Sequence, residues 1–220
     1  MIIGWILVTL ALAELLIGLR LIFGYQKNQA TVWYGLFAIG AAIYVASNGV
    51  GFILNSGVGD LVERFGWSGG ALLTAFFLPF SESFPFSRRR WQDHLPYVIW
   101  PIVVFVPAFF GTNIFLKSQA VIHYRDGYQT TPGSLFWFFL LFFAVYWGWS
   151  LINLVRRFRT SDGLHRWQLR LILIGIAASL FFSVLFDIIM PLVIHSRFGY
   201  VGSLLTSIWL GVTSYIILKK

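Results

Sequence analysis

Three carboxylates stand inside long apolar runs of this chain: Glu14 in IIGWILVTLALAELLIGL, Glu82 in FFLPFSESFPF and Asp187 in FFSVLFDIIMP. An ionisable group in such a run is costly unless it meets a partner, a proton path or a ligand, so each is a candidate for chemistry. Glu82 has arginines within reach, Arg88 or Arg20, and Asp187 lies close enough to the end of its run to be hydrated, so structural pairing is the plainer reading for both. Glu14 sits in mid-run, where depth denies it water, and contact with a ligand or proton competes evenly with a structural role. Asn48 and Asn55 are seven residues apart and share one helix face. With Gly49 and Gly51 between them, they either line a polar pocket or join closely packed helices. Together with Asn113 near the end of another apolar run, the candidate ligand-contacting set is Glu14, Asn48, Asn55, Asn113 and Asp187.

Other chemistries lack their residues. Without cysteine there are no disulfides, thiolate metal sites or cysteine nucleophiles. A membrane haem needs histidines within helices, and His94, His123, His165 and His195 all read as lying in connections. A retinal Schiff base needs a lysine in mid-membrane, but Lys117, Lys219 and Lys220 fall at the ends of apolar runs. His123, Asp126 and His195 are too scattered over two connections to make a persuasive metal site. Glycine-rich phosphate loops, His-Glu-x-x-His and serine-triad patterns are missing from the sequence. The expectation is a chain with no catalytic residue, no metal and no cofactor, and therefore no enzyme.

The elements that must position these residues are membrane helices. Hydrophobic residues make up 58% of the chain and charged residues 11%, with a mean hydropathy of +0.79; soluble domains are about a quarter charged. The net charge of +8 is not a nucleic-acid signature here, because no soluble domain carries it. Cutting the chain at its polar breaks gives seven runs of about twenty residues, near 2–23, 31–54, 68–86, 96–116, 134–155, 168–191 and 199–218. The third is the weakest, with Gly69, Gly70 and Pro79 in it, and Pro96 is placed to open the fourth. The first run has no basic leader or small-residue cleavage site ahead of it and reads as a retained helix. The 23 phenylalanines and 10 tryptophans read as packing and interfacial belts.

Lysine and arginine set the expected orientation, because they collect on the cytoplasmic side. Arg20, Lys27, Arg88, Arg89, Arg90, Arg156, Arg157, Arg159, Arg166, Arg170, Lys219 and Lys220 fall on one side; Arg64, Lys117, Arg125 and Arg197 fall on the other. That bias places the N-terminus outside and the C-terminus in the cytoplasm of a multi-pass inner (plasma) membrane protein. Between the fourth and fifth spans, Ala120–Tyr124 and Tyr128–Thr131 flank Asp126-Gly127 and predict a small extracytoplasmic β-hairpin. The segment DLVERFGW suits the outer interface, with Trp67 as anchor.

Three features carry a resemblance: the exit FLPFSESFPF of the third span, the outer hairpin, and LINLVRRFRTSDGLHRWQLRLILIGIAASLFFSVLFDIIMP. In the last of these a basic turn precedes Arg166, Gln168, Leu169 and Arg170, and the sixth span closes on Met190-Pro191. The chain resembles the seven-helix N-terminal sensor region of bacterial membrane histidine kinases over nearly its whole length. The resemblance implies an all-α seven-helix bundle that receives a signal in the membrane or outside it and passes it through the last helix to a cytoplasmic output domain. No binding residue can be carried over. The sequence stops at Lys219-Lys220, where that family continues towards a kinase, so it is expected to be a truncated product, a module acting through a kinase-like partner with Lys220 facing it, or an accessory subunit of a membrane complex. A small-solute transporter is the rival reading, although no internal repeat between 1–86 and 134–218 supports it.

Overall fold

The computed structural model describes residues 2–24, 28–54, 59–85, 90–111, 113–117, 131–189 and 200–218. Seven α-helices are present among them: α1 (Ile2–Phe23), α2 (Gln29–Ile53), α3 (Gly59–Ser83), α4 (Trp91–Gly111), α5 (Phe136–Thr160), α6 (Gly163–Ser183) and α7 (Tyr200–Leu218). A wider-turned π-helical segment, Val184–Ile189, follows α6 directly. Successive helices run antiparallel, so the N-terminal ends of α1, α3, α5 and α7 share one end of the bundle.

All of these helices except α3 are long and apolar enough to cross a membrane. The physical reason is visible in the packing. Helix α1 buries one stripe, Gly4, Leu7, Ala11, Glu14, Gly18 and Leu21, and turns Trp5, Leu12 and Leu16 outward. That 3-4 spacing is what a helix touching neighbours on one face and lipid on the others requires. Helix α3 is instead surrounded by α2, α4 and α5, burying Thr74, Phe77, Phe80, Ser81 and Ser83. A helix enclosed by protein needs no lipid-facing surface, so its hydropathy falls although it lies in the centre.

Small residues let the backbones close. A Cβ on Gly18 would stand 2.8 Å from the Gly35 carbonyl oxygen, and one on Gly69 only 2.6 Å from the Tyr44 amide nitrogen. Dispersion contact at this range replaces the hydrophobic drive that helices lack in lipid. Aromatic side chains fill the remaining space: Trp33 stacks on Trp91 at 3.9 Å, and Phe105, Phe109, Phe139 and Phe142 interlock between α4 and α5.

Several boundaries differ from those expected. Helix α3 starts at Gly59, so DLVERFGW forms its first turns rather than a separate interfacial segment, and Trp67 packs on Phe136 and Phe139. Helix α4 starts at Trp91, with Pro96, Pro101 and Pro107 all inside it; Pro96 does not open it. Helix α5 runs on to Thr160 through Arg156, Arg157 and Arg159, and α6 begins at Gly163, ahead of His165 and Arg166. Apolarity ends at the first charged residue, whereas the hydrogen bonds of a helix continue past it. The expected hairpin arms, apart from Thr131, lie outside the described residues. Closer to the helices, Leu116 pairs antiparallel with Pro132, and Lys117 with Thr131.

Candidate functional site

The face that α7 presents to α1 and α2 is polar. Ser203, Ser207 and Ser214 are buried at spacings of four and seven, one above the other on a single helical stripe. From α2, the Asn48 amide Nδ2 donates to Ser203 Oγ at 2.7 Å, and the Tyr34 hydroxyl donates to the Leu210 carbonyl at 2.8 Å. Ser207 donates to the Ser203 carbonyl at 2.9 Å, and Ser214 to that of Leu210 at 2.7 Å.

Glu14 of α1 lies in this seam, 3% exposed. Ser207 faces the carboxyl while its hydroxyl lies within hydrogen-bond distance of the Ser203 carbonyl at 2.9 Å, and neither Glu14 oxygen has a partner in good hydrogen-bond geometry. Buried polar groups are nearly always satisfied, so a carboxyl with no donor stands out. The same hydroxyls that join α2 to α7 and brace α7 internally leave Glu14 bare. Two of the expected ligand-contacting residues, Glu14 and Asn48, are thus brought to adjacent turns of one α7 face.

The other three are not brought there. The Asn113 side-chain oxygen accepts from Arg64 Nη2 at 3.1 Å. The side chain of Asp187, within the π-helical segment, and the whole of Asn55 lie outside the described positions. His123, Asp126 and His195 lie there too, and among the described residues no group of three or more histidines and carboxylates is placed to hold a metal ion.

Two arginines have roles that the sequence hid. Arg64, 6% exposed on α3, donates to Asp60 at 2.9 Å, to the Phe109 carbonyl, to Asn113 and to the Leu116 carbonyl at 3.5 Å. Phe109 is in the last turn of α4, whose carbonyls lack intrahelical partners, so Arg64 caps that helix and ties it to the strand pair. At the opposite end, Arg157 of α5 donates to the carbonyls of Glu82 and Phe84 and caps α3 in the same way. The Glu82 carboxylate meets His94 Nδ1 at 3.3 Å, and Arg88, one of its expected partners, lies outside the described residues. His94 is in α4 and 1% exposed, which corrects its expected place in a connection.

The basic rim is otherwise open. Arg20, Arg90, Arg156, Arg159, Arg166 and Arg170 are exposed at the end of the bundle that Arg157 caps, and Arg166 lies over the Phe158 ring at 5.3 Å. Arg88 and Arg89, from the same basic run as Arg90, lie outside the described residues.

A comparison with curated proteins finds no match. The family model for the N-terminal 7TM region of histidine kinase matches residues 6–216, which with the multi-pass helical bundle makes this chain a member of that family.

Proposed function

We propose that the chain is a non-enzymatic sensor module that passes a signal through α7 to a kinase-type output protein. The observation behind this reading is the polar seam, in which side chains of α1 and α2 converge on α7 around a carboxyl that has no donor. Such a seam has a second arrangement close at hand. If α7 shifts or turns, the Ser207 hydroxyl can leave the Ser203 carbonyl for Glu14, exchanging one hydrogen bond for another. Switching elements of this kind need only a small bias from a ligand that prefers one state. Glu14 and Asn48 form the responsive part of the input site, whereas Asn113 is held by Arg64 away from it.

The gathering of Arg20, Arg90, Arg156, Arg157, Arg159, Arg166 and Arg170 at one end supports an inner-membrane orientation with that end in the cytoplasm and the N-terminus outside. There the exposed guanidinium groups meet anionic head groups and the output partner.

The test is phosphorylation of the output kinase when it is co-reconstituted with this chain in nanodiscs. Glu14→Gln and Asn48→Ala should each shift the basal level or abolish the response. Unchanged output in both variants would remove the seam from the signalling path, and solute flux in liposomes lost in Glu14→Gln would point to transport instead.

A further inference from the structure

On α7, Thr206 and Trp209 lie roughly 100° around the helix from the seam and form part of a second feature. They close one wall of a cleft, part of it open to the outside, that reaches α2, α3, α5 and α6. The other walls are aromatic, from Trp67 on α3 and Phe139, Phe143 and Trp147 on α5. Among the described residues no charged side chain lines it, and one of its few hydroxyls, that of Ser179, already donates to the Leu205 carbonyl at 3.2 Å. A charged or strongly hydrated ligand would lose its water there with nothing to replace it.

Two adjacent glycines show why the space exists. A Cβ on Gly69 would strike the α2 backbone at 2.6 Å, so that glycine serves close packing. Gly70 lines the cleft, and a Cβ there would meet nothing within 4 Å. At Gly70 a Cβ would therefore fit without any movement, one residue from a glycine where it would not. An unfilled apolar void forfeits dispersion contacts along its whole lining, which an occupant would restore.

The surroundings define that occupant. Beside the cleft, Phe138 and Leu141 on α5 and Phe181 on α6 are 50%, 59% and 64% exposed on helices that cross a membrane, so the medium at its mouth is hydrocarbon. We infer that the cleft binds one uncharged hydrocarbon chain, acyl or prenyl, which enters sideways from the bilayer between α5 and α6. The inference is separate from the signalling role of the Glu14 seam and holds or fails without it.

The full chain in nanodiscs provides the test. In one arm the phospholipid carries a diazirine in an acyl chain; in the other, a diazirine-bearing polyprenyl chain is doped into plain phospholipid. After photolysis, mass spectrometry should find label on cleft residues such as Phe143, Trp147 and Leu180 in at least one arm, and the labelled arm identifies the chain. Gly70→Leu should reduce that label about tenfold while leaving labelling of the outward Leu12 and Leu16 unchanged. Leucine is also the better helix former, so the fold should survive; Thr206→Leu narrows the same cleft from α7 and provides an independent check. Cleft labelling no higher than that of the sealed Phe37 and Phe80 in both arms would overturn the inference, as would undiminished labelling in both variants.

Discussion

Neither Glu14 oxygen has a hydrogen-bond partner that would hold α1 in place, and the close approach to α2 is made by Gly4 and Gly18 on either side. Replacing an unsatisfied buried polar group with an apolar one of similar size removes its desolvation penalty, so Glu14→Leu should raise the melting temperature in mild detergent, by about 1–3 kcal/mol of stability. The same variant should lose kinase output, since leucine cannot accept the Ser207 hydroxyl. A more stable but silent protein is the signature of a functional group, and a destabilised one would instead give Glu14 a structural role. Arg64 is the opposite case. Arg64→Leu strips the caps from α4 and strands the Asn113 and Leu116 acceptors, and should lose about 3 kcal/mol; Arg64→Lys should recover less than half of it, because an ammonium cannot fork to acceptors in several directions. Thermal melts of the two variants check this. Glu14 was legible in the sequence because a carboxylate in an apolar run has no local excuse. Arg64 and Arg157 were not, because their main partners are backbone carbonyls 45 to 75 residues away, which no local pattern marks.

At the scale of helices, apolar runs found the number and order of elements but misplaced their ends. Helix α3 shows why most clearly. Its first turns carry Asp60, Glu63 and Arg64, which look like a break on a hydropathy scale, yet Arg64 spends its charge inside the protein on α4. Glycines were legible as weak points of α3, but their two different jobs were not, since Gly69 and Gly70 are neighbours in sequence and face different surroundings. Their contrast is itself a prediction. Gly69→Leu must push α2 and α3 apart and should lose about 3 kcal/mol or fail to fold, whereas Gly70→Leu should melt at or slightly above the parent temperature. Scanning fluorimetry of the pair decides it, and equal losses would mean that Gly70 is packed as closely as Gly69.

For the molecule as a whole, charge and packing bear on the same question from different directions. Exposed arginines gather at one end of an antiparallel bundle, and at the other end Arg64, the one buried arginine among the described residues, is consumed as a helix cap. Arg64 therefore adds little to the field that the opposite end presents to a membrane, and the effective asymmetry is greater than a count of residues along the chain suggests. The sequence could supply the count but not this distinction, because burial depends on which helices meet. The absence of native cysteine makes the resulting orientation directly measurable. Ser134→Cys, exposed just ahead of α5, and Asp162→Cys, exposed in the turn between α5 and α6, mark the two ends of the bundle. In intact cells a membrane-impermeant maleimide should label Ser134→Cys and leave Asp162→Cys untouched until the membrane is permeabilised. The reverse pattern would put the arginine-rich end outside. It would also detach α7 from any cytoplasmic kinase, because α7 ends on the same side as that turn, so a single labelling experiment tests the orientation and the direction in which a signal can leave the bundle.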